Sequence, residues 1–186
     1  MATKKKPGPA KLQLTDGKSA KGSALPDSLP GYEGDYDGAT FKVFEGNLVV
    51  KGDLNLDSEG SIAVLGDLEV KGTIGNYDGD SGPALIVTGN LKAKNVVAGG
   101  SEMKVQGDVT LGNGLYAFYN HGQVSIGGDL SAKGVLCSDH SVGVDGKVVA
   151  PVLAIGGTMT NDFPGQEIGE ILSKGLVTSD GSLDHA

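Results

Sequence analysis

Six nine-residue windows of the chain repeat one arrangement of apolar and polar positions. They are LVVKGDLNL from Leu48, IAVLGDLEV from Ile62, LIVTGNLKA from Leu85, MKVQGDVTL from Met103, VSIGGDLSA from Val124 and VGVDGKVVA from Val142. Each reads apolar-x-apolar-x-Gly, then Asp, Asn or Lys, then apolar-x-apolar. Such alternation is the period of a β-strand, whose successive side chains point to opposite faces. In the second window it puts Ile62, Val64, Leu68 and Val70 on one face and Ala63, Leu65, Glu69 and Lys71 on the other. The central glycine keeps the alternation in phase, so the chain can bend there and keep one face inward. A Gly-Asp corner suits a bend through positive φ, with the Asp or Asn side chain bonding its own backbone two residues on.

The windows start 14, 23, 18, 21 and 18 residues apart. Several are followed by another short apolar piece: Thr73-Ile74-Gly75, Val96-Val97-Ala98, Tyr116-Ala117-Phe118, Val135-Leu136-Cys137 and Val152-Leu153-Ala154. Two strands around a Gly-Asp corner and a third after a more variable turn describe one coil of a solenoid. The predicted fold is all-β, a single-stranded parallel β-helix of about six coils over residues 39–161. An up-and-down barrel or a sandwich would show irregular strand signatures instead of one motif recurring in phase. Stacking at about 4.8 Å per coil gathers Asp53, Asp67, Asn90, Asp108, Asp129 and Lys147 into a corner column. Asx turns account for that column, and the nine-residue Gly/Asp repeat of calcium-binding β-rolls is absent, so no metal is expected. Lys71, Lys94 and Lys133 share a position four residues later and read as a solvated edge.

The ends differ from the middle. Residues 1–38 are basic, then rich in Gly and Pro, and are expected to be partly disordered. In residues 162–186 Ile168, Ile171 and Leu172 stand at helical spacing, which predicts a short C-terminal helical cap before the tail. A solenoid needs such a cap because its last coil otherwise presents unpaired strand edges.

Composition sharpens this picture. With 32 Gly, no Trp, four Phe and five Tyr, the core must be built from small apolar residues. The net charge is -8, yet six of the 15 lysines lie in the first 22 residues and there is no arginine. The acidic remainder excludes a nucleic-acid partner and favours a basic one. Cys137 has no partner for a disulfide, and neither an apolar signal segment nor a run of roughly 18 apolar residues is present. These features point to the cytoplasm, with no membrane contact and no cofactor.

Three clusters suggest chemistry. Gly79-Asp80-Ser81-Gly82-Pro83 matches the string around the nucleophile of trypsin-like serine proteases. In that family the histidine and the orienting carboxylate precede the serine, whereas His121, His140 and His185 all follow it here. The string reads as an acidic turn in a long insert, and no catalytic residue is expected. Tyr116-Ala-Phe-Tyr119-Asn120-His121-Gly122 is the aromatic concentration of the chain. It suits a binding hot spot, and equally Tyr116 or Phe118 filling the core beside Val and Ala. Cys137-Ser138-Asp139-His140 suggests a Cys/His pair, but Cys137 aligns with Ala98 and Gly75, where a small residue serves packing. The candidates for partner binding are Tyr77, Asp78 and Asp80 in one insert and Tyr116, Tyr119, Asn120 and His121 in the other. Consecutive coils would bring their roots close together if both inserts leave the same edge.

The repeated apolar-x-apolar-x-Gly-Asp-Leu pattern, the Val-Val-Ala-Gly-Gly-Ser stretch, and Tyr-Asn-His-Gly followed one coil later by Ser-Asp-His carry a resemblance over residues 41–160. The chain resembles small bacterial β-solenoid proteins encoded beside polymorphic or type VI secretion toxins. That resemblance implies an immunity protein that binds and neutralises a cognate, basic protein toxin, of which a nuclease is one kind. It would act in the cytoplasm as a monomer in the complex or as a weak homo-oligomer. The chain is also similar to bactofilins, which implies the alternative of a polymer-forming scaffold. Polysaccharide lyases share the solenoid but work with Arg, Lys and clustered acids along a groove, so an enzyme is not expected.

Overall fold

The computed structural model describes residues 12–25, 38–79, 82–119 and 122–160, with 153–160 described by backbone alone. The C-terminal cap expected over 162–186 therefore lies outside the described residues, as do Asp80, Ser81, Asn120 and His121.

The chain winds as a parallel β-solenoid with three sheets. The first is made of β2 (Thr40–Phe44), β5 (Ser61–Val64), β8 (Leu85–Val87), β10 (Glu102–Val105), β12 (Gln123–Ile126) and the end of β14 (Gly134–Val144). The second holds β3 (Leu48–Val50), β6 (Leu68–Val70), the first halves of β9 (Leu91–Ala98) and β11 (Val109–Phe118), β13 (Leu130–Ser131) and β15 (Val148–Val149). The third comprises β4 (Leu54–Asn55), β7 (Thr73–Asn76), the second halves of β9 and β11, the start of β14 and β16 (Val152–Thr160). Five parallel pairings carry the first sheet from β2 to β14, and β16 pairs with β14 as a sixth turn is completed.

Register makes the core. Ile62, Leu85, Met103, Val124 and Val142 occupy one column, and Leu48, Leu68, Leu91, Val109 and Leu130 another. All ten are buried in a single cluster. Burying each such side chain contributes roughly 1.5–3 kcal/mol. A one-residue slip would turn a whole strand's apolar set outward, so the alternation itself fixes the register.

The first window stands in a different phase from the others. Leu48 pairs with Leu68, so LVVKGDLNL belongs to the second sheet and its Gly52-Asp53 forms the second corner. The true first-corner equivalent is Glu45-Gly46-Asn47, since Phe44 pairs with Val64. This explains the anomalous first spacing: the 14-residue step from Leu48 to Ile62 compares two different corners. Asp53 instead accepts a hydrogen bond from Thr73 N at 2.7 Å on the next turn.

The first-corner column is a ladder between turns, not a set of Asx turns closed within each one. Oδ1 of Asn47 accepts from Asp67 N, that of Asp67 from Asn90 N, that of Asn90 from Asp108 N and that of Asp108 from Asp129 N, all at 2.9 Å. Lys147 N closes the series onto Asp129 at 2.8 Å. The glycines before them also stack. Gly107 N donates to Gly89 O and Gly128 N to Gly107 O, both at 3.1 Å. Of the first-corner glycines Gly46 alone has a positive φ, 137°. In the later turns glycine is needed for close approach: a Cβ on Gly107 would stand 2.5 Å from Asn90 Oδ1 and 2.8 Å from Gly89 O.

Residues 12–25 cap the first turn. Leu12 bridges Leu48 in parallel, and β1 (Lys18–Lys21) runs antiparallel to β2. Leu25 joins Phe41, Val43, Ala63, Ala84 and Ile86 in a second buried cluster on the outer face of the first sheet. Ala63, on the outward face of its strand, is thus covered by chain. One helical turn, α1 (Leu56–Glu59), links the first two turns. Asn55 caps it by accepting from Asp57 N, and Gly60 ends it at φ 79°.

Candidate functional site

The third corner, where the third sheet passes to the first sheet of the next turn, varies most from turn to turn. It is made successively of α1, the 76–82 insert, Gly99-Gly100-Ser101, the 119–122 segment and Asp139-His140. Asn76 organises it. This residue is fully buried, in a column otherwise filled by Ala98, Ala117 and Cys137. Its Nδ2 donates to Asp57 Oδ1, and its Oδ1 accepts from Gly99 N at 3.1 Å and Ser101 N at 2.8 Å. Asp57 Oδ2 accepts from Tyr77 N at 2.8 Å, and Asp78 O accepts from Gly100 N at 2.7 Å. One buried amide thereby ties together three consecutive turns.

Tyr77 and Asp78 are held outward by this clamp, with Tyr77 58% exposed. The Tyr77 ring covers Gly75, where a Cβ would lie 2.5 Å from Tyr77 Cε2. Tyr119 arrives from two turns further on, at φ 75°, and its ring lies against Gly79, where a Cβ would stand 2.9 Å from Tyr119 Cγ. The two inserts predicted to carry the site therefore meet. Tyr116 lies on the outer face of the third sheet, in the outward column of Gly75 and Val97, two turns on from the glycine that Tyr77 covers. Leu115 and Ala117 are the core residues of that stretch, while Tyr116 and Phe118 point outward, half-buried, with rings stacked at 5.2 Å. Filling of the core by Tyr116 or Phe118 is thus not what occurs. Asp80, Asn120 and His121 lie outside the described residues.

Lysines and carboxylates mix on the second sheet and its flanking corners, where Asp53, Asp67, Asp108 and Asp129 are exposed. Asp57, Asp78 and Asp139 are exposed at the third corner, and Lys42 reaches it through an ion pair with Glu59 of α1 at 2.6 Å. Lys51, Lys71, Lys92, Lys94, Lys133 and Lys147 are exposed on the second sheet and its flanking corners. A groove of about 370 Å³ on the second sheet is lined by residues including Asn47, Asp67, Glu69, Asn90 and Lys92. Its Asn and Asp oxygens are engaged in the inter-turn ladder.

The Cys137-His140 pair is not a catalytic dyad. Cys137 Sγ donates to the backbone oxygen of His140 at 3.2 Å, and burial pushes its thiol pKa up to about 11. A thiol so protonated is a poor nucleophile. Its strand neighbours are Ala117, Ala98 and Asn76, one residue on from the expected Gly75. His140 is buried, with Nδ1 2.8 Å from Tyr119 O and 3.2 Å from Phe118 O. The sequence reading missed Asn76, Asp57 and His140 as residues that shape this corner. Asn76 carried a signal, being the one polar residue in an otherwise apolar inward column.

Among known families, residues 34–120 match the one described as "Putative Ice-binding-like adhesive domain". The similar segment runs from the first turn through the aromatic end of β11 and is under half of the 186 residues. No curated protein and no solved structure matches the chain. No helix among the described residues is long and apolar enough to cross a membrane.

Proposed function

We propose that the protein is a recognition module without catalytic turnover that holds a basic protein partner along its third corner, as an immunity protein neutralises a cognate toxin. The observation that supports this reading is the convergence of Tyr77, Asp78 and Tyr119 on one edge that also exposes Asp57 and Asp139, held by a buried amide clamp. Exposed tyrosines on a rigid frame supply anchor energy at low entropic cost, and carboxylates steer a basic surface into place. The reading also draws on the resemblance to toxin-linked solenoids. End-to-end polymerisation is the weaker alternative at the first turn, because Leu12 and β1 already cover strand edges there.

The family match favours a second reading, adhesion to a surface, since the matched segment contains Tyr77, Asp78 and Tyr119. One experiment separates the two. Co-expression with the product of the adjoining gene should restore growth if that product is a toxin, and the two should co-purify one to one. Absence of both protection and complex, together with retention of the purified protein on whole cells, would replace immunity by adhesion.

A further inference from the structure

The third corner contains a buried histidine with half of its polar chemistry unused. His140 Nδ1 faces the carbonyl oxygens of Tyr119 and Phe118, which only accept hydrogen bonds, so Nδ1 carries the proton. In the neutral ring Nε2 is then a bare acceptor. That atom is buried without a hydrogen-bond partner, and His140 is 3% exposed. The ring is wedged against Gly122, where a Cβ would stand 2.5 Å from His140 Cε1. Both residues that bring the two turns together, Tyr119 and Asp139, hold positive φ, 75° and 50°. The imidazole thus ties Tyr119 to the next turn at its carbonyl, beside the bond from Tyr119 N to Ser138 O at 3.2 Å.

We propose that His140 is an acid-released latch: neutral, it ties the fifth turn to the backbone of Tyr119, and protonation of Nε2 opens the corner and withdraws Tyr119 from the binding edge. The proton added at Nε2 would create a buried cation whose new N–H has no acceptor, a state that costs more than opening the turn to water. Asp139 and Cys137 lie on the ring's own strand, the Phe118 and Tyr119 carbonyls on β11 and its end, and the Gly99 and Ser101 carbonyls beside Gly122. Of these Asp139 favours the cation, but burial acts more strongly and lowers the pKa below the ordinary 6.5. The folded state therefore binds fewer protons than the unfolded one, so His140's contribution to stability is complete above pH 6.5 and is lost as the pH falls below it.

The inference rests on the binding role proposed for the third corner, but the latch is tested without any partner. Amide exchange of residues 118–122 in the full chain should accelerate at least tenfold more between pH 7.5 and pH 5, after correction for intrinsic rates, than that of the core strand β10. His140→Asn, which can still donate to the carbonyls but does not titrate here, should abolish that difference, and His121→Asn should preserve it. Long-range proton–nitrogen NMR of the wild type should show one neutral histidine protonated at Nδ1, and this reading stands even if the variant fails to fold. An Nε2-protonated tautomer, or acceleration that persists in His140→Asn, overturns the latch. If the corner opens at pH 5 while affinity for the partner is unchanged, the latch stands and the binding role of this corner falls.

Discussion

Gly107 and Gly112 differ in what a methyl group would meet. At Gly107 it would collide with Asn90 Oδ1 at 2.5 Å and the Gly89 carbonyl at 2.8 Å, whereas at Gly112 the nearest atom is Lys94 Cα at 3.7 Å. Overpacking of this kind costs about 1–3 kcal/mol. Gly107→Ala should lower the melting temperature by roughly 5 °C at this chain size, and Gly112→Ala should leave it within about 1 °C. Equal melting curves would mean that inter-turn contact is not why glycine stands at the first corner. The ladder makes a second prediction at this scale. It uses one oxygen of each Asp, not the charge, so Asp108→Asn should be neutral and Asp108→Ala should cost about 1 kcal/mol by leaving Asp129 N without its acceptor. Denaturant titration of both variants distinguishes a hydrogen-bond ladder from a charge column. The identity of these corner residues was legible in the sequence, but their mechanism was not. Periodicity along one turn carries no information about which turn a side chain bonds to.

At the scale of elements, the third corner owes its shape to the Asn76 clamp. Asn76→Ala would remove the acceptor for Ser101 N and the donor to Asp57 in a buried setting, while Gly99 N keeps the Asn76 carbonyl at 3.0 Å. A loss of about 3 kcal/mol is expected. Exchange protection should fall first at the Ser101 amide, with β10 and β12 little affected; uniform loss across the solenoid would show that the corner is not a separate unit. The strands were readable because alternation over nine residues has few competing explanations. Phase was harder: LVVKGDLNL matches the repeat, yet stacking of Leu48 on Leu68 assigns it to the second sheet. Only the 14-residue spacing hinted at the slip. The one-turn helix α1 escaped notice because Leu56–Glu59 is too short to show a helical period, and its signals are the local ones of an Asn cap and a terminal glycine.

For the whole molecule, the division of labour follows from the solenoid. Two corners repeat and carry stability through ladders of backbone and Asx hydrogen bonds, while the third tolerates inserts because its turns lie outside the stacked register. The meeting of the two inserts was anticipated on the condition that they share an edge, and the Tyr119 ring on Gly79 meets that condition. The outward placement of Tyr116 was not legible, since a strand's parity is fixed only once its neighbours are known. Carboxylates stand with tyrosines on the third corner, whereas the second sheet and its flanking corners mix lysines with Asp53, Asp67, Asp108 and Asp129. The most direct test of the central claim is calorimetric titration of the purified protein with the product of the adjoining gene. The wild type should bind one to one, Tyr77→Ala/Tyr119→Ala should weaken binding about 100-fold, and Lys92→Ala/Lys94→Ala should bind as tightly as the wild type. Affinity lost in the lysine variant and retained in the tyrosine variant would contradict the account.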